Sequence, residues 1–353
     1  MNEPEGLRFR RLNRPQIITD SHEPRYKGTS TYSGKVFRVT LISIGGFLIL
    51  PLLVVILILE SPIHPEVFSL SEPPLLTGCY EPNLKLREAQ RLYENQLLGP
   101  ESITNIGDVL YTGTADGQIL RLDGKSVTVV ARLGRPPCGS HDDEPRCGRP
   151  LGIRLGPNGT LFVADAYLGI FQVDPVTGHV TPLVRGTEMV AGQRLSFIND
   201  LDVSQDGRKV YFTSSSSRWQ RRDYLQLIME ATADGRVLEY DVVTRQVSVM
   251  MEGLRFPNGI QLLPDEESVL VTETTMARIR RMLQLFSHDV LLRFVPRYSL
   301  VLELEEGGLC LRSFHDPHGQ VAAYISEAHE HKGHLYLGSF RSPYLCKLDL
   351  SQV

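Results

Sequence analysis

The chain has 353 residues, 42% hydrophobic and 22% charged, a globular composition that excludes a wholly disordered or fibrous protein. Its net charge of -4 offers no basic footprint for a nucleic acid partner. The charge is unevenly spread: residues 1–38 carry eight Lys/Arg against four Asp/Glu, so the remainder is acidic.

Residues 1–38 are polar, basic and without periodicity, which predicts a cytoplasmic basic tail. Residues 39–59, VTLISIGGFLILPLLVVILIL, form a 21-residue run without a charge. At ~1.5 Å per helical residue such a run spans ~30 Å, the thickness of a bilayer core. A buried soluble helix would be shorter and amphipathic, and a cleaved leader would have a shorter apolar stretch. The reading is a transmembrane helix embedded in the lipid bilayer. The basic tail precedes it and the next Lys or Arg is Lys85, so the positive-inside rule predicts a single-pass type II signal-anchor. The C-terminal bulk would then be luminal or extracellular, at the plasma membrane or the endoplasmic reticulum. Residues 60–84, rich in proline, read as a stalk. Lys85 to Tyr93 reads as a short helical turn.

From there the chain repeats one phrase: LYTGTADGQILRLD from Leu110, LFVADAYLGIFQVD from Leu161, VYFTSSSS from Val210, VLVTETTMARIRR from Val269 and LYLGSFRSPYLCKLD from Leu335. Each reads as a β-hairpin preceded by a turn. The aligned residues Tyr111, Phe162, Tyr211, Leu270 and Tyr336 are spaced by 51, 49, 59 and 66 residues. A period of ~40–50 residues with four strands per unit is the pattern of a β-propeller. A sandwich would not repeat a phrase at this period. Residues 85–353 are therefore an all-β, six-bladed-type β-propeller with five blade motifs present. Helix is confined to an insertion at 218–231, with Leu225, Ile228 and Met229 on one face, and Ser214–Ser217 reads as a turn.

Side chains from different blades meet in a propeller's central channel, so a site must be drawn from matching positions of the repeats. The turn phrases offer Glu101, Asn199 or Asp200, and Asn258. Carboxylate and amide oxygens suit a hard cation such as Ca²⁺, which takes roughly six to eight oxygen ligands. Each residue alone is also an ordinary turn former. His329, His331 and His334 lack zincin spacing and read as surface or turn residues, with His329 or His331 a weak candidate for a catalytic base. There is no nucleophile elbow, phosphate loop or dinucleotide fingerprint. Asn158-Gly159-Thr160 is a glycosylation sequon, predicting a glycoprotein. Cys138 and Cys147 bracket a polar loop that an oxidising compartment would close as a disulfide bond, two free thiols being the alternative. Cys79, Cys310 and Cys346 leave an odd count with no pairing assigned.

The phrases GPESI, CGRPLGIRLGPNGTLFVADAYLGIF, FINDLDVSQDGRKVYFT and FPNGIQLLPDEESVLVTETTMARIRR resemble the strictosidine-synthase-like propellers, kin of the paraoxonase and gluconolactonase propellers, across almost the whole chain. The resemblance implies six blades on a type II anchor, a channel Ca²⁺ held at Glu101, Asn199 and Asn258, and an arylesterase-like hydrolase acting on a small aryl ester or lactone. Three departures stand out. Ser214 replaces an acidic residue of the family's YFTDSS. Ser326 aligns with the catalytic glutamate of the plant enzyme, which argues against strictosidine-synthase-type lyase chemistry. After Arg281 about one blade is absent, which raises a non-catalytic binding or scaffold propeller as the alternative function.

Overall fold

The computed structural model describes residues 32–58, 61–67, 75–264, 266, 268–274, 297–305 and 309–353. Most of the tail, part of the stalk, and Arg281 with the segment after it lie outside the described residues. The chain divides into two compact units, Met1–Pro62 and Ile63–Val353.

In the first unit, helix α1 (Tyr32–Ile44) passes through a π-helical turn (Gly45–Ile49) into α2 (Leu50–Ile58). The wide turn sits just before Pro51, whose missing N–H and bulky ring disturb the i→i−4 ladder. The stretch Gly34–Val54 is long and apolar enough to cross a membrane.

The second unit begins earlier than the expected domain start at 85. Ile63 is buried, and the backbone N–H groups of His64 and Glu66 donate to Glu230 at 2.9 and 2.8 Å. The segment read as a stalk is thus anchored at Ile63–Glu66 and again at Cys79. The expected helical turn from Lys85 is a 3₁₀ turn (Lys85–Glu88) leading into a strand, β1 (Gln90–Leu92).

Four sheets are complete blades. The first holds β2 (Ile103–Ile106), β3 (Val109–Gly113), β4 (Gln118–Asp123) and β5 (Ser126–Arg132). The second holds β6 (Pro150–Leu155), β7 (Leu161–Asp165), β8 (Gly169–Val173) and β9 (Val180–Arg185). A small hairpin, β10 (Met189–Val190) with β11 (Gln193–Arg194), precedes the third. The third holds β12 (Phe197–Val203), β13 (Lys209–Ser216), β14 (Gly235–Asp241) and β15 (Gln246–Leu254).

Two hairpins follow, each half a blade: β16 (Pro257–Leu262) with β17 (Val269–Glu273), then β18 (Ser299–Leu304) with β19 (Cys310–Asp316). The last blade is β20 (Ile325–His331), β21 (His334–Ser339) and β22 (Leu345–Asp349), completed from the N-terminal side by β1. Its register pairs Gln90 with Lys347 and Leu92 with Leu345. This closing strand welds the two ends of the propeller sequence together. The sequence pattern missed it because three residues carry no readable period.

The strands that open each sheet touch in the order β18, β20, β2, β6, β12, β16. The two ends of that run are the two half-blades, so among the described residues five repeat phrases become four blades and two halves. Apolar residues pack between neighbouring blades: Ile153, Val163 and Phe171 against Ile119, and Phe212 and Leu238 against Phe162 and Ile170. Glycine lets the strands approach. A Cβ on Gly338 would lie 1.7 Å from the Glu101 carbonyl oxygen, and one on Gly152 would lie 2.5 Å from Asp200 Oδ1. The edge of β19 is covered by the segment before β1. Asn83 Nδ2 donates to Ser313 O (2.9 Å), His315 N–H donates to Asn83 Oδ1 (2.9 Å), and Cys79 is bonded to Cys310. One side chain thereby does the work of a strand's donor and acceptor, which blunts an otherwise open edge.

Candidate functional site

The innermost strands begin with matching residues: Glu101 just before β2, Leu151 on β6, Asn199 on β12, Asn258 on β16 and Ser326 on β20. All five line one cavity of about 430 Å³. Phe197, Phe256, Phe340 and Tyr224 form its aromatic wall, and Arg221 and Thr274 add polar groups. The three expected ligands Glu101, Asn199 and Asn258 therefore do converge. Leu151 and Ser326 complete the same ring, and their signal was their alignment with those three.

The amides are oriented by hydroxyls. Asn199 Nδ2 donates to Ser215 Oγ (3.1 Å), whose own hydroxyl donates to Pro257 O (2.6 Å). Asn258 Nδ2 donates to Thr274 Oγ1 (3.3 Å). Each amide nitrogen has one of its two N–H groups engaged in this way, and each side chain keeps a carbonyl oxygen that can accept from or coordinate a ligand. Ser214–Ser216 of the serine run read as a turn belong to β13 and are buried there, which is how Ser215 reaches Asn199, while Ser217 lies just past the strand. Ser214, standing where the resemblance expects an acid, is buried with its hydroxyl unpartnered.

Glu101 is approached by Arg149, which is completely buried. Its guanidinium donates to Gly99 O (2.8 Å), Phe340 O (3.2 Å) and Glu101 Oε2 (3.4 Å), tying the last, first and second blades together. Burial raises the Glu101 pKa above the carboxylate range, opposed by the charges of Arg149 and Arg221. One step further along the inner strands a second ring follows, with Ser102, Gly152, Asp200, Gly259 and Glu327 in matching places. Arg154 spans it, donating to Ser102 Oγ (3.2 Å) and to Asp200 Oδ2 (3.3 Å). Burial pushes the Glu327 carboxyl up to about 7, with Arg154 opposing and Asp200 and Glu101 reinforcing the rise. Glu327 and Arg154 had no local sequence signal, since one lies in a histidine-rich strand and the other in an ordinary hairpin.

The insertion forms one side of the cavity. It folds as a 3₁₀ turn (Arg221–Asp223) and a helix (Tyr224–Glu230), shorter than expected, burying Leu225, Leu227 and Ile228 while Met229 is half-buried. Arg221 is held by Glu144 (2.8 Å), and Glu144 also accepts from Tyr167 Oη (2.5 Å). Glu144 belongs to the loop closed by the Cys138–Cys147 disulfide, S–S 2.09 Å. The bridge expected from spacing thus positions a cavity-lining arginine. The remaining cysteines resolve into the Cys79–Cys310 bridge and a buried free thiol at Cys346.

His329 and His331 are not brought to the cavity. Successive strand residues rise ~3.3 Å, which carries them roughly 10 and 16 Å along β20 from Ser326. His329 Nε2 meets Asn105 Oδ1 at 2.8 Å, and His331 Nε2 lies 3.5 Å from Asp108. Burial and then the Arg154 charge lower the His329 pKa. Asn158 is exposed in the β6–β7 turn, at the far end of β6 from Leu151.

The Ca²⁺ expectation can be weighed against this donor set. Among the described residues no three His, Cys, Asp or Glu come together as a metal-holding group. Glu101, Asn199 and Asn258 instead bring carboxylate and amide oxygens, hard donors, from three blades to one cavity. That chemistry fits Ca²⁺ with further ligands from backbone or water, and it does not fit a thiophilic metal.

Residues 199–285 match the family model for strictosidine synthase, and residues 78–122 the model for the strictosidine synthase-like N-terminal region. The chain is similar to adipocyte plasma membrane-associated protein of Salmo salar, 67% identical with 100% of both chains covered, and to that of Homo sapiens, 51% identical at the same coverage. It is also similar to Protein STRICTOSIDINE SYNTHASE-LIKE 10 of Arabidopsis thaliana, 30% identical over 71% of this chain and 85% of the relative. The salmon alignment runs over 416 positions against 353 residues here, leaving about 63 positions with no counterpart in this chain. Those positions amount to a little more than one repeat period. A name that places the relatives at the plasma membrane and the apolar helix Gly34–Val54 together fit a membrane protein.

Proposed function

The chain belongs to the strictosidine-synthase-like family, within the group of adipocyte plasma membrane-associated proteins, and from that premise we propose that it is a membrane-anchored hydrolase of aryl esters or lactones. The observation that carries the reading is the meeting of Glu101, Asn199 and Asn258 in one aromatic-walled cavity. These three would hold Ca²⁺ by carboxylate and amide oxygens. Bound there, the ion would supply Lewis-acid polarisation of the ester carbonyl and a lowered pKa for a bound water. Phe197, Phe256 and Phe340 offer faces for an aryl ring and exclude bulk water. Arg221, fixed by Glu144, adds positive charge where an oxyanion develops. Ser326 places a hydroxyl in the ring where the resembling plant enzyme aligns its glutamate, which speaks against lyase chemistry.

In this proposal the N-terminus is cytosolic and the propeller luminal or extracellular. Two disulfides suit an oxidising compartment, and Asn158, exposed at the end of β6 away from the cavity, accepts a glycan without blocking it. The proposal is tested with the full chain in neutral detergent, following phenyl acetate hydrolysis with Ca²⁺ and with a chelator. Turnover that the chelator abolishes, and that Asn258→Ala reduces at least 100-fold, is the expected result. Chelator-insensitive or absent turnover refutes it. The roughly 63 positions of the salmon relative without a counterpart here favour a second reading, a binding propeller without turnover, which an absent activity with retained ligand binding would select.

A further inference from the structure

Beside the cavity lies a second cleft of about 430 Å³, formed where the β19–β20 connection faces the β21–β22 turn. The two share a wall. Tyr324 and Arg341 line the cleft, while the adjoining Ile325 and Phe340 line the cavity, and the Tyr324 and Phe340 rings meet edge to face at 5.9 Å. The cleft's charged lining is Arg91, Arg297 and Arg341 with His318, and among the described residues it contains no Asp or Glu.

Among the described residues, the nearby carboxylates do not pair with Arg297 or Arg341. Asp316 is wholly buried and accepts from Arg87 Nε (3.3 Å), Val321 N (2.8 Å), Ala322 N (3.2 Å) and His318 N (3.4 Å), so it builds the turn rather than neutralising the cleft. Glu94 pairs with Arg91 at 3.4 Å, and Arg91 is further fixed by Gln320 O (2.7 Å), Val321 O (3.2 Å) and the Tyr344 ring 4.3 Å below it. Arg297 and Arg341 have no carboxylate within ion-pair distance among the described residues. The Arg341 guanidinium lies 5.3 Å from the centroid of the Tyr324 ring, a cation–π contact that places it on the wall shared with the cavity. Gly319 (φ +56) brings the turn against Arg297, where a Cβ would fall 2.5 Å from the Arg297 carbonyl oxygen. Arg297 and Arg341 are exposed on one concave surface with no ion-pair carboxylate among the described residues, and the planar fork of a guanidinium matches the oxygens of phosphate.

We propose that this cleft binds a phosphate group, held between Arg297 and Arg341, carried by a small phosphorylated molecule or by a phospholipid headgroup. Arg91 and Tyr344 form its floor and are not themselves the phosphate partners. The shared Tyr324–Phe340 wall sets the phosphate one aromatic ring from the cavity. The inference stands whether or not the neighbouring cavity turns over esters.

The test is a titration of the full chain in neutral detergent with inorganic phosphate, glycerol 3-phosphate, and mixed micelles containing phosphatidic acid, with chloride as the control. Saturable phosphate binding that weakens at least tenfold in Arg297→Ala/Arg341→Ala, with the melting temperature unchanged, is the expected result. Arg341→Lys is expected to retain part of it as a point charge without the fork. Phosphatidic acid micelles binding more tightly than glycerol 3-phosphate would support the site with a lipid as its source, and equal binding would support it with a soluble one. No saturable phosphate binding, or binding untouched by the double variant, overturns the proposal. Unlike ester hydrolysis, this readout is insensitive to Asn258→Ala, so failure of one proposal is distinguishable from failure of the other.

Discussion

The Cys79–Cys310 bridge closes the longest loop in the molecule, and its loss should be the most damaging single covalent change. The two cysteines are 231 residues apart in sequence, against 9 for Cys138 and Cys147. In the chain-entropy description a cross-link over loops of those lengths removes about 18 and about 9 cal/mol/K from the unfolded ensemble, or about 5.5 and about 2.6 kcal/mol at room temperature. Unfolding entropy of ~2.1 cal/mol/K per residue over Ile63–Val353 converts these to losses of roughly 9 and roughly 4 °C in melting temperature. Cys79→Ser/Cys310→Ser and Cys138→Ser/Cys147→Ser are compared by thermal melts of the full chain in neutral detergent under non-reducing conditions. The long bridge also secures β19, whose covering segment is otherwise attached by Asn83 and Arg87. The short bridge acts on the cavity through Glu144 and Arg221, so its loss should raise KM for an aryl ester beyond what the smaller stability change explains. A long-bridge variant melting within 2 °C of the parent, or a larger loss from the short bridge, would refute the reasoning.

Three further outcomes are expected. The Glu327 carboxyl, at about 7 in the folded protein, binds a proton more tightly than the unfolded chain does near 4.5, so stability is greatest at low pH in this window, falls as pH rises from about 4.5 to 7 and is flat above. The span is at most about 3 kcal/mol, and Glu327→Gln should flatten that slope when melts are compared between pH 5 and pH 8. Arg149→Met leaves Glu101 buried without its cation and frees the Gly99 and Phe340 carbonyls, at a cost of about 3–5 kcal/mol measured by denaturant unfolding. Gly338→Ala drives a methyl into the Glu101 backbone, so it should displace that carboxylate and reduce phenyl acetate turnover at least tenfold, while Gly333→Ala, at an open turn, leaves turnover within about twofold.

Several features were legible in the residues themselves. The apolar run that becomes α1 and α2 needs no tertiary partner, because its backbone bonds within itself and its length matches a bilayer. The blade hairpins were readable because strand alternation and turn residues are local. The matched phrases around Glu101, Asn199 and Asn258 announced a ring, since equivalent positions of a repeat must meet at its axis. The Cys138–Cys147 pairing followed from a short loop.

What escaped was everything set by distance in sequence. β1 closes the last blade only because residues from both ends of the propeller sequence meet. Cys79 found Cys310, and Arg149 found Phe340, for the same reason. Glu327 acquires its raised proton affinity from burial beside Asp200 and Glu101, which its own strand does not encode. The shared register also overrode local preference at Ser214–Ser216, which read as a turn and is buried strand.

By itself, then, the sequence determined the long apolar helix, the β-hairpin repeat and the matching positions that meet in the cavity, because each depends on local geometry and short-range periodicity. Tertiary structure alone decided which blades are complete, what covers the edge of β19, and how Arg149, Arg221 and Glu327 are charged and held. Those properties arise from the field and packing of groups brought together across hundreds of residues.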